Sequence, residues 1–121
     1  MAKKSTPITK ATRISTEEKR LRKIYADMRA DSLSLIDGLI QRAAYMRVTL
    51  EDYETDLDTR GYVESFTQSE KTEPYERERP VARLYNTMNK NYQSIIKQLT
   101  DLLPKELQEG DDLMEFINSR R

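Results

Sequence analysis

The segment IDGLIQRAAYMRVTLEDYETDLDTRG, residues 36–61, places an apolar side chain at alternating steps of three and four positions. This spacing is that of the a and d positions of a helix packed along one seam. The members of the pattern are Ile36, Leu39, Ala43, Met46, Leu50, Tyr53 and Leu57. Gly61 is a typical residue with which to end such a helix. The pattern predicts one long helical element that ends at Gly61.

Upstream, the helix is expected to begin near residue 16. Ser15 and Glu18 have the S-x-x-E spacing of a capping box, and apolar residues follow a helical period from Leu21 onward. No proline interrupts residues 16–60. A one-residue change of phase at positions 35 and 36, beside Gly38, indicates a bend or a break between two helical segments.

Downstream, a second helix is predicted from Pro80, which suits a first helical position, to Pro104. It carries the cleanest amphipathic pattern of the chain. Residues 62–79 lack helical periodicity, and we expect a mobile loop there. The alternative is a short hairpin in which residues 62–67 return through Tyr75.

The lengths of the two elements indicate self-association. A helix of ~45 residues is ~67 Å long and one of ~24 residues is ~36 Å long. Folded together, they leave almost half of the longer seam uncovered. Either the long element breaks near Gly38 to form a three-helix bundle, or other copies cover the surplus; we favour the second. The predicted oligomer seam consists of Ile36, Leu39, Met46, Leu50, Tyr53 and Leu57.

Composition argues against catalysis. The chain has 121 residues, a length typical of one domain, and contains no histidine and no cysteine. Zinc fingers, thiol nucleophiles and histidine-based triads are therefore excluded. The chain has three glycines and no phosphate-loop motif, so we expect no glycine-rich loop that binds a nucleotide. The acids of residues 51–58 are interpreted as a solvated helix face and not as a metal site. We expect no enzymatic activity, no metal and no cofactor.

Targeting features are also lacking. The N-terminal sequence MAKKSTPITK has no apolar segment of the signal-peptide kind, and residues 33–40, the most apolar stretch, are too short to span a bilayer. The absence of cysteine is typical of a reducing compartment. We expect a soluble cytoplasmic protein without a membrane partner.

A net charge of zero hides a strong asymmetry. Residues 1–30 carry nine basic and three acidic side chains, whereas residues 31–60 carry three and seven. A basic arm on a neutral body is typical of a protein that binds a polyanion, although a solubilising leader is the alternative. Cations in the first turns of the predicted helix oppose its dipole, which indicates that they have another role. The candidate DNA-binding residues are Lys3, Lys4, Lys10, Arg13, Lys19, Arg20, Arg22, Lys23 and Arg29.

The C-terminus has the opposite character. Six acids and one base lie between Asp101 and Phe116. Leu113, Phe116 and Ile117 share one face of a single helical turn, and so short a helix needs a surface on which to fold. That surface is either the protein's own oligomer or a partner protein.

Part of the chain resembles the small terminase subunits of long-tailed phages, the helical DNA-packaging adaptors. The resemblance covers residues 45–104 and rests on MRVTL at 46–50, RG at 60–61, PVARLYNTMNK at 80–90 and KQLTDLLP at 97–104. One departure is Arg79, since that family often has a capping asparagine before the proline. The resemblance implies a homo-oligomeric ring that recognises viral DNA and passes it to a large subunit holding the ATPase and nuclease.

The resulting hypothesis is an all-α fold, a long helical hairpin with a central loop, that assembles as a ring. Residues 1–15 form a basic disordered arm, residues 16–104 the helical oligomerisation and DNA-binding core, and residues 105–121 an acidic amphipathic tail. The partners are double-stranded viral DNA, other copies, and the large terminase subunit, in the host cytoplasm. Leu113, Phe116 and Ile117 are the partner-binding residues. The alternative is a helical structural or scaffolding protein with no nucleic-acid role.

Overall fold

The computed structural model describes residues 8–104. Along the chain it contains α1 (Lys10–Ile24), α2 (Ala30–Arg60), β1 (Val63–Phe66), β2 (Tyr75–Glu78) and α3 (Pro80–Asp101). The described chain is mostly helical, as predicted, but it has three helices and a two-stranded antiparallel sheet. The prediction of a purely α-helical two-helix hairpin is therefore wrong.

Helix α1 begins six residues earlier than the capping box predicts. Thr9 is the N-cap, with an extended backbone, and its hydroxyl accepts a hydrogen bond from the Thr12 N–H at 3.1 Å. Ser15 and Glu18 lie inside the helix, so the capping-box prediction is wrong. Residues 10–15, which the sequence assigned to a disordered arm, belong to α1.

The earlier start also reverses the argument about the helix dipole. Arg22 and Lys23 lie in the last turn of α1, where the partial charge of the dipole is negative. Cations there stabilise the helix. The inference that these charges oppose the dipole is therefore wrong, and the dipole supplies no separate reason to give them a functional role.

The long helical element breaks at residues 25–29 and not near Gly38. Tyr25 is the C-cap of α1, and α2 runs without interruption through Gly38. One buried cluster contains Leu21, Ile24 and Tyr25 together with Ile40 of α2 and Leu99 of α3. The phase change in the sequence lies within α2, where Leu35 is exposed and Ile36 is buried, so it does not mark the break.

Contacts within the single chain cover much of the seam that a two-helix fold would leave open. Ile36, Leu50 and Leu57 are buried within the single chain, and Ala43 and Ala44 are completely buried. Leu39, Met46 and Tyr53 are only half-buried. The predicted uncovered seam is therefore wrong for Ile36, Leu50 and Leu57. The three-helix arrangement, the less favoured alternative, describes the chain better.

The ends of α2 and α3 agree with their sequence signals. Gly61 has φ +80°, a conformation that favours glycine, and its N–H donates to the Leu57 carbonyl at 2.8 Å. Pro80 occupies the start of α3, as predicted, and the helix ends at Asp101, shortly before Pro104. The expectation of a mobile loop between Gly61 and Pro80 is wrong. The chain forms the hairpin alternative, in which Val63 pairs with Glu78 and Phe66 with Tyr75.

Tyr25 connects the end of α1 to the end of α3. Its ring is only 3% exposed, and its hydroxyl donates a hydrogen bond to the Leu99 carbonyl. Burial disfavours the charged phenolate and therefore raises the pKa of the Tyr25 hydroxyl. A neutral, hydrogen-bonded tyrosine thus links the end of α1 to α3.

Replacing Tyr25 with phenylalanine is expected to cost about 1 kcal/mol at neutral pH, because a buried hydrogen bond is lost. Since the pKa is raised in the folded state, the contribution of the hydroxyl is fully present below pH ~10 and declines above it, by at most about 1.4 kcal/mol per pH unit. The difference between wild type and variant should therefore shrink above pH ~10. Urea unfolding at several pH values measures this, with the half-exposed Tyr45→Phe as control.

Candidate nucleic-acid interface

Most of the candidate DNA-binding arginines are held in ion pairs. Arg13 on α1 donates to Asp52 at 2.5 Å and to Glu51 at 3.3 Å, both on α2. Arg22 contacts Asp37 on α2 at 2.9 Å and Glu18 on its own helix at 3.2 Å. These contacts join α1 to α2, so the two arginines serve the fold.

Arg20 and Arg29 pair within their own segments. Arg20 makes a bidentate contact with Glu17, at 2.6 and 2.7 Å, and this hydrogen bonding raises the pKa of Arg20. Arg29 lies 3.4 Å from Asp31 in a pair that is mostly exposed and therefore of little energetic value. Glu17 compensates the charge of Arg20 only locally, because the guanidinium keeps other donors for a second anion.

The lysines behave differently. Lys10 lies over the Tyr45 ring, with its ammonium 4.6 Å from the ring centroid. Lys19 and Lys23 are exposed and lie one turn apart on α1. With Thr16 and Arg20 they line a shallow groove on the outer surface of the helix, which we name the α1 basic face. Lys3 and Lys4 lie outside the described residues.

The α1 basic face presents cations to solvent on a rigid element. Residues 16, 19, 20 and 23 are spaced by three and four positions, so they share one side of the helix. Thr16 donates its hydroxyl to the Thr12 carbonyl at 3.0 Å. The cationic groups of this face that reach an anion are therefore Lys19, Arg20 and Lys23. Flexible ammonium groups act as point charges, which suits contact with phosphate oxygens and not with base edges.

The sequence contains a signal that separates Lys19 from the arginines. Glu17 precedes Arg20 by three positions and Glu18 precedes Arg22 by four, which are the spacings of helical ion pairs. Lys19 has no acid at those distances, and within residues 8–104 it makes no ion pair. The net charge of residues 1–30 counts all nine cations alike and does not show this distinction.

The acidic stretch on α2 is used for contacts with other elements. Glu54 accepts a hydrogen bond from the Tyr85 hydroxyl at 2.9 Å, which raises the pKa of that tyrosine. Asp56 pairs with Arg79 at 2.7 Å. In the described part of the chain, no three acidic side chains converge as they do around a metal ion.

Arg79 has a structural role that the sequence did not reveal. It is the residue before α3 and caps nothing with its side chain, as its identity predicts. Its buried guanidinium instead donates to the Gly61 carbonyl at 2.6 Å and to Asp56, and its N–H donates to the Tyr62 carbonyl at 2.8 Å. Arg79 thereby fastens the base of the hairpin to the end of α2.

The fold and the α1 basic face define a mostly helical protein with a surface suited to polyanions. Comparison with protein-family models, with curated proteins and with solved structures gives no match. Within residues 8–104, none of the helices combines the length and the apolar character that crossing a bilayer requires.

Proposed function

We propose that this protein is a small terminase subunit, a non-enzymatic adaptor that binds viral DNA and recruits the large subunit for genome packaging. The observation that carries the DNA-binding part is the α1 basic face, where Lys19 and Lys23 project from one side of a helix. The resemblance of residues 45–104 to that family supports the rest.

Binding through this face is electrostatic. Duplex DNA is surrounded by condensed counterions, and each phosphate neutralised by a lysine or arginine releases some of them. Lys19, Arg20 and Lys23 supply three cations per copy, and Lys3 and Lys4 add two more from outside the described residues. Contacts of this kind position the DNA without reading its sequence. Several copies in one ring would multiply weak contacts into useful avidity.

An apolar stripe on α2 supports self-association. Leu35, Leu39, Met46 and Tyr53 are spaced by four and seven residues, which places them on one side of the helix. Leu35 is exposed and the other three are half-buried in the single chain. This stripe retains three residues of the predicted seam, and in our proposal it contacts a neighbouring copy in the ring.

The remaining parts of the proposal concern partners. Leu113, Phe116 and Ile117 are proposed to bind the large terminase subunit, and they lie outside the described residues. The large subunit would supply the ATPase and nuclease, so this chain needs no cofactor or metal of its own. The site of action is the host cytoplasm.

The salt dependence of DNA binding tests the α1 basic face. In the variant Lys19→Gln with Lys23→Gln, the slope of log K against log salt should flatten by about 1 for each lysine and each copy engaged. The matched control is Lys71→Gln with Lys90→Gln, which removes two exposed lysines from the hairpin and α3. The control should keep the wild-type slope. Fluorescence anisotropy with a short duplex measures both.

The same experiment separates the two candidate functions. Equal slopes for the test and control variants would remove the α1 basic face from the DNA interface. A wild-type chain without salt-dependent DNA binding would favour a helical scaffolding protein with no nucleic-acid role. Native mass spectrometry of the wild type decides the ring, because a closed ring gives one dominant copy number.

A further inference from the structure

The described chain ends beside α1. After α3 ends at Asp101, Leu103 is buried in the same cluster as Leu21 and Ile24 of α1. Tyr25, at the C-cap of α1, donates its hydroxyl to the carbonyl of Leu99, only five residues before Pro104. The segment that follows Pro104 therefore starts close to the C-terminal turn of α1.

The charges of the two segments are complementary. Helix α1 carries six basic and two acidic side chains. Residues 105–115 carry five acids and one base, and the acids are Glu106, Glu109, Asp111, Asp112 and Glu115. One chain thus contains a cationic helix and a strongly anionic segment.

We propose that residues 105–115, the acidic segment, dock on the α1 basic face of the same chain. The carboxylates would pair with Lys19, Arg20 and Lys23, the cations that line the groove. This inference rests on the proposed function in one respect, because it assigns to the acidic segment the surface that DNA is proposed to use. The acidic segment then competes with DNA phosphates.

The geometry of the chain allows this contact. Eleven residues reach about 36 Å when extended, at about 3.3 Å per residue. The α1 basic face spans eight residues from Thr16 to Lys23, a rise of about 10 Å between the first and the last. Because Leu103 packs on the core side of α1 and Lys19 and Lys23 face solvent, the segment must first pass around the helix, about 16 Å over a diameter of about 10 Å. The acidic segment is long enough for this path and for the length of the face.

The energetics make the contact reversible. Exposed ion pairs are individually weak, and salt screens them. A short tether gives the acidic segment an effective concentration of about millimolar, so that several weak pairs hold it when no competitor is present. Duplex DNA has a higher charge density and gains from counterion release, so it displaces the segment.

A spin label tests the contact directly. Since the chain has no cysteine, Gln108→Cys creates one attachment site for a nitroxide within the acidic segment. At about 50 mM salt, where the screening length is well above 10 Å, amide signals of residues 16–23 should broaden. At about 1 M salt the broadening should disappear. In the variant Lys19→Gln with Lys23→Gln, the broadening at low salt should be several-fold smaller. The control variant Lys71→Gln with Lys90→Gln should keep the wild-type broadening.

Mixing identifies the chain that supplies the segment. A nitroxide-labelled chain without ¹⁵N is mixed with a ¹⁵N-labelled chain without nitroxide. The inference is supported if the amide signals broaden in a chain that carries both ¹⁵N and the nitroxide but do not broaden in the mixed sample. Broadening in the mixed sample means that the segment of another copy docks, and it overturns the inference, as does an absence of broadening on α1.

DNA affinity supplies the second measurement. Glu109→Gln with Asp111→Asn and Asp112→Asn should raise DNA affinity several-fold, because the competitor is weakened. The matched control, Glu70→Gln with Glu73→Gln and Glu76→Gln, removes three exposed acids from the hairpin region. Equal gains in the two variants contradict the proposed competition. A chain that binds no DNA would end the proposed function, and the nitroxide experiment alone would then decide the inference.

Discussion

Replacing Leu57 with glutamate is expected to unfold the chain and not merely to separate its copies. Leu57 is 2% exposed within a single chain, near the end of α2, where α3 packs against that helix. A carboxylate at this position would be taken out of water in the apolar core, and a buried charge without a paired cation costs several kcal/mol. Because a domain of this size is stable by only about 5–15 kcal/mol, most of the folding free energy would be lost.

The matched control is Leu35→Glu on the same helix. Leu35 is 81% exposed, so a glutamate there stays in water and should change the free energy of unfolding by less than about 0.5 kcal/mol. Circular dichroism and urea unfolding compare the two variants. A Leu57→Glu chain with wild-type unfolding and a smaller assembly would show instead that Leu57 belongs to a contact between copies. Leu35→Glu is the substitution with which to weaken the proposed apolar stripe without unfolding the chain.

The positions of helix ends were predictable where one residue type is required. Only glycine adopts φ +80° without strain, so Gly61 marked the end of α2, and the fixed φ of proline suits the start of α3 at Pro80. The start of α1 was missed because Thr9 caps by its hydroxyl alone, with no acidic partner three residues later. Several hydroxyl residues near this terminus offer the same local chemistry, so spacing could not select the one that is used.

The break between α1 and α2 was not predictable from periodicity. Apolar residues at helical spacing lie on both sides of residues 25–29, and neither glycine nor proline interrupts them. At this turn Ile24 and Tyr25 are buried in one cluster with Leu99 of α3, and burial of their apolar surface stabilises the arrangement. Burial of that kind depends on a helix that starts 55 residues later, and the local sequence does not mark where the turn falls.

The total charge of each segment was predictable from the sequence, but the set of charges exposed on the folded surface was not. The sequence gives nine basic residues in the first thirty, and it contains the spacings of local pairs such as Glu17 with Arg20. The pair between Arg13 and Asp52 spans 39 residues and exists only because α1 lies along α2. Folding therefore pairs several of the candidate arginines with acids, while Lys19 and Lys23 are exposed on the α1 basic face.

Replacing Arg79 with alanine is expected to destabilise the fold by about 2–3 kcal/mol, because it breaks a largely buried ion pair. The Arg79 side chain is 8% exposed, while Asp56 keeps 29% exposure, so water would partly solvate the carboxylate left behind. The Gly61 carbonyl would also lose its donor. A two-stranded hairpin is only marginally stable by itself, so hydrogen exchange at residues 62–79 should accelerate more than exchange in the helices.

Arg60 provides a matched control, because it is a second arginine beside the Asp56 carboxylate. The Arg60 contact is 3.7 Å long and its side chain is 69% exposed, so Arg60→Ala should cost less than about 0.5 kcal/mol. Arg79→Lys should fall between the two, because an ammonium keeps the charge but cannot reproduce the fork that reaches Asp56 and Gly61 together. Urea unfolding ranks the three variants. Equal losses for Arg79→Ala and Arg60→Ala would contradict this account, because burial and the bond to Gly61 would then contribute nothing to holding the hairpin on α2.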